Sequence, residues 1–287
     1  MADEIVLEFA VLNIVADPHR EGVYPSLLRK IAHIPVQLWG DDYLAFTPPR
    51  RDAEIWTGRI FVWTELDPNA PAINTKILEE LSLEAANVSV PENIGINGRI
   101  FNYVLREKDH KLFFETKNEF GRHLSPYRLL KPIDRLFYKT NTNGEMTVTV
   151  TVYPEDDALN NILKIKFLNT LEIHLRKPNP DDNDVEAEDI LRELEEQGAS
   201  KKDIKITAKS RKKGITPNHR TRIEAEVAAE NGYVRGTGKN GAGEVQDLST
   251  EEYPKIVRVP LAGFASVLSA AKSVARNTVL RLRGRRA

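Results

Sequence analysis

The chain has 287 residues with a net charge of −1, 41% hydrophobic and 29% charged content, and no cysteine. That length and composition belong to a folded globular protein able to bury a core without metal or disulfide. The missing cysteines exclude disulfides, thiolate nucleophiles and thiolate-ligated zinc or iron–sulfur centres, and suit a reducing compartment. No apolar run approaches the roughly 18–20 residues of a membrane span, and Asp3 and Glu4 stand where a secretory signal carries bases. The expected location is therefore the cytoplasm.

The elements follow from periodicity and punctuation. Ile5 to Ile14 is an apolar run suited to a strand buried on both faces, ended by Asp17-Pro18. Tyr24-Pro25-Ser26 opens a short helix through Ile31. Val36 to Phe46 and Ile55 to Glu65 are aromatic strand segments carrying Trp39, Trp56 and Trp63. A short helix is expected over Ile73 to Leu83. Arg99 to Arg106 and His110 to Lys117 alternate about Glu107-Lys108-Asp109 as a hairpin. Ser125-Pro126 starts a helix toward Tyr138 that Pro132 is expected to interrupt or kink.

Beyond Asn143-Gly144, Met146 to Tyr153 has strong β character, Asp156 to Lys164 is helical, and Asn169 to Arg176 is a strand. A Pro- and Asp-rich loop precedes an acidic helix from Val185 to Gln197, closed by Gly198. Then come a strand from Ile204 to Ala208, a helix from Thr216-Pro217 through Ala229, a glycine-rich loop at Gly236 to Gly243, and a Tyr253 to Pro260 segment. A final helix is expected from about Leu261 to Leu282. Strands and helices without regular βαβ alternation predict an α+β fold of mixed sheets with packed helices. Two lobes are expected: a β-rich N-terminal lobe over 1–143 and a basic α+β lobe over 144–287.

The near-zero net charge conceals an asymmetry. Residues 201–287 hold 19 Lys and Arg against 8 Asp and Glu, a net of +11, whereas the first 200 residues carry −12. Such segregation marks an interaction surface for a polyanion or an intramolecular contact between the two parts. Three features make up the basic part. Lys201, Lys202, Lys205, Lys209, Arg211, Lys212, Lys213, Arg220 and Arg222 cluster around the Ile204 strand, with Lys205 and Thr207 on its polar face. Neutralising phosphates with such residues releases condensed counterions and gives salt-sensitive binding; the plain alternative is a solvated charged loop. Gly236-Thr237-Gly238-Lys239 lets backbone amides approach a phosphate, but Tyr233 and Asn240 fail the P-loop pattern, and a hairpin turn explains the glycines too. From Tyr253 to Ala287 there are eight bases, among them Arg276, Arg281, Arg283, Arg285 and Arg286, and no acid, on an amphipathic helical pattern.

Evidence for catalysis is thin. The six histidines lack metal-ligand spacing, and no cofactor is expected. Asp181, Asp182 and Asp184 are the weak metal candidates; equally, acids preceding the Val185 helix favour its dipole.

The segments Glu8 to Ile14, the Ser125-Pro126 helix, Leu171 to Leu175 closing in Lys177-Pro178-Asn179-Pro180-Asp181, and Asn231-Gly232 resemble an uncharacterised bacterial family, a domain of unknown function met in phage-defence neighbourhoods. More distantly, the strand ending in Lys-Pro, the following helix and the Ile204 to Lys209 strand look like the DNA-binding sensor of the lambda Rex exclusion system and the DNA-binding component of Kiwa defence. The resemblance implies sequence-nonspecific DNA binding and transfers no catalytic residue. The expectation is a nucleic-acid-binding sensor or regulator of antiphage defence, preferring duplex DNA over RNA, with an operon-encoded partner and a homodimer as candidate assemblies. The alternatives are a metal-dependent nuclease of such a system and a non-catalytic interaction protein whose basic end docks on an acidic partner.

Overall fold

The computed structural model describes residues 4–89, 91, 93–141, 144, 146–178 and 185–280. In chain order the first part holds strand β1 (Val6–Asp17), helix α1 (Val23–Ile31), and strands β2 (Val36–Trp39), β3 (Asp42–Phe46), β4 (Arg50–Asp52) and β5 (Ile55–Thr64). Strands β6 (Ala72–Asn74), β7 (Glu79–Leu81), β8 (Ile96–Arg106) and β9 (Lys111–Lys117) and helix α2 (Pro126–Thr140) follow. The second part holds β10 (Thr147–Val152), α3 (Ala158–Leu163), β11 (Phe167–Arg176), α4 (Val185–Glu196), β12 (Lys201–Thr207), α5 (His219–Glu230), β13 (Gly232–Lys239), β14 (Val245–Ser249), β15 (Ile256–Pro260) and α6 (Val267–Asn277). The α+β class is as expected: antiparallel sheets with helices packed on them.

The large sheet runs β10-β1-β9-β8-β5-β3-β2, with β15 also on β1 and β4 on β5. Within it, β1 has its residues from Phe9 to Ala16 buried on both faces. A strand so enclosed must satisfy every backbone group by pairing. On one edge β9 does this; the other edge is divided, with β10 opposite Leu12 to Asp17 and β15 opposite Val6 to Ala10. One face packs against α1 and α2 through Leu12, Ile14, Tyr24, Leu28, Phe101, Tyr103, Leu129 and Ile133. The other packs under α6, where Phe9, Val11 and Phe113 meet Ala270, Ala271 and Val274. Each fully buried Phe or Leu contributes roughly 1.5–3 kcal/mol, and the alanines of α6 allow that helix to approach the sheet closely.

The smaller sheet, β12-β11-β13-β14, is antiparallel throughout. Leu168, Leu171, Ile173 and Leu175 from β11 and Val234 from β13 pack beneath α3, α4 and α5. Buried polar groups join the two sheets. Asn13 on β1 donates to the Glu230 carbonyl at 3.2 Å and to Asn231 Oδ1 at 3.0 Å, and accepts from Lys111 Nζ at 2.9 Å. Thr151 donates to the same Glu230 carbonyl at 2.9 Å.

Four expectations are corrected. A division at 143/144 does not separate the sheets, because β10, β15 and α6 lie on the large one; β1 needs partners that only the later chain supplies. Ile73 to Leu83 is a two-stranded hairpin, β6 and β7, not a helix. Its apolar residues Ile73, Ile77 and Leu78 are exposed, so no packed face stabilises a helix there. Pro132 does not interrupt its helix, which runs on through Thr140, since the Leu129, Ile133, Leu136 and Phe137 stripe is buried on both sides of the proline. The last helix is confined to Val267–Asn277. It begins at a capping box in which Ser266 Oγ accepts from the Ser269 amide and Ser269 Oγ accepts from the Ser266 amide, and Thr278 is extended.

Candidate nucleic-acid interface

The exposed face of the small sheet is set by strand alternation. On β12, Lys201, Asp203, Lys205 and Thr207 point outward, while Lys202, Ile204 and Ile206 turn toward the helices. Cross-strand pairing then decides the fate of each charge. Lys205 lies opposite Glu172 and its Nζ is 2.6 Å from Oε1. That hydrogen bond holds Glu172 below the usual carboxylate range. Arg235 and Asp247 pair at 2.6 Å, and Lys201 lies 3.7 Å from Asp203, which His174 Nδ1 also meets at 2.9 Å. This face is a mosaic of neutralised pairs rather than a basic surface.

Other expected phosphate contacts are also occupied. Lys202 Nζ sits between Glu193 Oε1 at 2.7 Å and Glu224 Oε1 at 2.9 Å. Burial opposes its charge, but the two carboxylates outweigh that and hold its pKa above the ordinary lysine value. Arg220 binds the same Glu193 and Glu224, and Arg222 Nε donates to the Pro217 carbonyl at 3.2 Å. Arg276 meets Glu54 Oε1 at 2.8 Å and Asp52 Oδ1 at 3.5 Å, beside the Lys272–Asp52 pair. Arg281, Arg283, Arg285 and Arg286, like Asp181, Asp182 and Asp184, lie outside the described residues.

What remains, besides Arg222, whose Nε is held by the Pro217 carbonyl, is Lys209, Arg211, Lys212, Lys213 and Lys239: all exposed, and without an acidic partner among the described residues. The fold brings them to one end of the small sheet. After β12 the chain turns tightly, with the Lys213 and Gly214 amides donating to the Ser210 carbonyl at 3.1 and 2.9 Å. Gly214 permits this at φ +75°, where a Cβ would also stand 2.9 Å from the Leu168 nitrogen. The Ala208 and Ile215 amides donate to the Asn169 and Leu168 carbonyls, tying both ends of the loop to the start of β11. A cavity of about 710 Å³ opens there, walled by Arg211, Lys212, Lys239 and Phe167. Its floor includes the cross-strand row Thr207, Thr170, Thr237. No lining residue is acidic, so hydroxyl donors and three cations converge on one space, an arrangement that attracts anions.

Two lysines outside the expected set join the site. Lys164 and Lys166 flank a second cavity of about 470 Å³ with Asn240 and Gly241 at the β13–β14 turn, and Lys166 Nζ lies 5.6 Å from the Phe167 ring centre. They precede the basic third of the chain, so its charge excess does not include them; the signal present in the sequence is Lys164-Ile165-Lys166 just before a strand.

Two glycines of the glycine-rich segment are required by packing. Gly236 and Gly238 lie within β13, and a Cβ on Gly238 would stand 2.3 Å from the Phe167 carbonyl oxygen, one on Gly236 2.5 Å from Ile162 Cγ2. They are absent side chains that let the strand approach α3 and β11. Gly238→Ala is therefore expected to cost about 1–3 kcal/mol of stability by overpacking, measured by chemical denaturation. Unchanged stability with weakened anion binding would restore the phosphate-loop interpretation.

Among the described residues no group of three or more His, Asp or Glu is arranged to hold a metal ion, and no helix is long and apolar enough to cross a membrane. The chain is thus an α+β protein with two antiparallel sheets and a cationic groove at the end of the smaller one. A family model described as a domain of unknown function, DUF4747, matches residues 5–276, and the chain belongs to that family. No curated protein matches it.

Proposed function

We propose that this protein binds nucleic acid through phosphate contacts, with duplex DNA preferred and little sequence preference, and acts in the cytoplasm as a sensor or regulator of antiphage defence. The observation that carries the binding proposal is the acid-free groove formed by Arg211, Lys212 and Lys239, extended by Lys209, Lys213, Lys164 and Lys166. The defence role rests on the resemblance of the chain's strand and helix segments to families met in that setting.

The test is fluorescence anisotropy with duplex DNA, single-stranded DNA and RNA across a salt series. For a variant with Arg211, Lys212 and Lys239 all changed to Ala, the slope of log K against log salt is expected to shrink by about 0.9 for each phosphate no longer neutralised. Affinity at low salt should fall at least about tenfold on every sequence. Lys205→Ala, which removes a cation already paired, is expected to leave the slope nearly unchanged. Binding that ignores salt, or the same slope in the triple variant, would overturn the proposal.

A second reading, an interaction protein whose basic end docks on acids, is favoured by the contacts of the last segment. Arg258–Glu8, Lys272–Asp52 and Arg276–Glu54 join it to the N-terminal part of the same chain. On that reading, truncation at Gly263 removes α6 from the core it shares with Phe9 and Val11 and destabilises the fold before it affects any binding.

A further inference from the structure

The small sheet ends at β12, which pairs with β11 and with no other described strand. The ladder decides which of its backbone groups face outward. The Ala208 amide donates to the Asn169 carbonyl at 2.8 Å, and the Lys177 amide to the Ser200 carbonyl at 3.1 Å. Bonded and non-bonded pairs alternate in an antiparallel ladder, so the even-numbered residues of β12 bond to β11. The N–H and C=O groups of Lys201, Asp203, Lys205 and Thr207 therefore point away from the sheet. Such an edge is a template for another strand. On the helix side Ile204 and Ile206 are only half-buried, while Ile173 and Leu171 opposite them on β11 are fully buried. A further strand would complete their cover.

The charges along the edge specify that strand. Edge lysines ordinarily discourage pairing, because like charges across strands repel. A second copy of β12, antiparallel and centred on Ile204, instead sets Asp203 opposite Lys205 of the second copy, and Lys205 opposite its Asp203. Both side chains are accessible, Lys205 at 66% and Asp203 at 51%, and both stand on the same face. Moving the centre to Asp203 sets that residue against itself and Lys201 against Lys205; moving it to Lys205 sets lysine against lysine. The Ile204 register alone uses the whole strand and pairs unlike charges. It also prolongs a row already present, since Arg235, Glu172 and Lys205 are cross-strand neighbours. Charges then alternate from Arg235 through to Asp203 of the second copy. The opposite edge, β14, lacks this property. The Asn240 amide donates to the Glu244 carbonyl, so Val245, Asp247 and Ser249 face outward, and pairing along the whole strand sets Asp247 against itself.

We propose that two copies of this chain pair through β12 in a two-fold symmetric dimer, joining two four-stranded sheets into one. The axis stands perpendicular to the sheet, so both exposed faces lie on one side and each groove receives residues from the other copy. Thr207 ends the floor row Thr237, Thr170, Thr207 and stands opposite Lys201 of the second copy. Lys201 is in turn the cross-strand neighbour of Arg176, and both are exposed. The hydroxyl row of one copy thus continues into two cations of the other. That enlargement of the groove rests on its proposed binding of nucleic acid; the dimer does not.

The experiment is sedimentation velocity of the full chain without nucleic acid, across roughly 1–200 μM, a range suited to the weak affinity of a small interface. The mass is expected to rise from 32.4 kDa toward twice that value. Asp203→Lys and Lys205→Asp each set like charges opposite one another, so each alone is expected to stay monomeric. Mixed together they present unlike charges at both positions, and association is expected to return. Register is read separately by cross-linking, in a chain that has no cysteine of its own. Ile204→Cys lies opposite its own copy at a non-bonded position, about 4.5 Å between Cα atoms and within disulfide reach. It should oxidise to a covalent dimer, whereas Ile206→Cys, opposite Lys202, should not. A parent chain that stays monomeric throughout, a dimer that survives Asp203→Lys, or cross-linking no greater for Ile204→Cys than for Ile206→Cys would overturn the proposal. Because no nucleic acid is present, either outcome leaves the binding role of the groove to its own test.

Discussion

Asn13→Ala is expected to lower the free energy of unfolding by about 2–4 kcal/mol, read from urea denaturation, because it strands several buried groups at once. Asn13 is 0% exposed, and the Lys111 ammonium that donates to it is 4% exposed. Removing the amide takes away the Lys111 acceptor at 2.9 Å and the donor to Asn231 Oδ1 at 3.0 Å and to the Glu230 carbonyl. An ammonium left short of acceptors in the interior is the costliest of these losses. The same residue ties β1 of the large sheet to the α5–β13 junction of the small one. The variant is therefore also expected to broaden the unfolding transition as the two sheets lose cooperativity. A loss below about 0.5 kcal/mol, the scale of an ordinary surface substitution, would show that Thr151 and the surrounding packing hold the junction without it.

Stability is expected to decline as pH rises from about 4.5 to 7, which is opposite to the usual behaviour of paired carboxylates. Desolvation raises Glu115 from 4.5 to about 7. Between those values the unfolded chain has released the proton and the folded chain keeps it, so unfolding becomes progressively easier until both states are ionised. The full effect is roughly 3 kcal/mol at 1.36 kcal/mol per pKa unit. Burial pushes Asp134 and Glu251 the same way. At the acid end the direction reverses: Glu193 and Asp247 are held low by Lys202 and Arg235, and their stabilisation disappears as pH falls below the ordinary carboxylate range. A maximum between roughly pH 4 and 6 results. Glu115→Gln should flatten the neutral limb and make the protein more stable at pH 8 than the parent. A variant whose loss between pH 5 and 8 matches the parent would place the titrating group elsewhere.

Much of the architecture was legible because it is local. An apolar run identified β1, alternation identified β8 and β9, aromatic and β-branched content identified β5 and β10, and Thr216-Pro217 put α5 within a few residues of its observed start at His219. The free cationic cluster at Lys209 to Lys213 was equally visible, since five consecutive residues carry four bases with no acid between them. Errors arose where local pattern and tertiary context disagree. The 73–83 segment has helical spacing but no surface to pack on, and Gly236 to Gly238 has loop composition yet forms a strand because α3 and β11 leave no room for side chains.

The sequence alone determined the class of fold, most of its strands and helices, and a concentration of positive charge in its last third. The tertiary structure decided which of those charges are available. Lys202, Lys205, Arg220 and Arg276 are matched by acids brought to them by strand register and helix packing, while Lys164 and Lys166 arrive beside the groove from a stretch of no evident charge excess. It also decided that β10, β15 and α6 complete the first sheet, and that Glu115 lies buried at a cavity wall. The physical reason is range. Periodicity and capping act over a few residues and are written in neighbours, whereas charge neutralisation, edge pairing and desolvation depend on groups that only the folded chain brings within hydrogen-bonding distance.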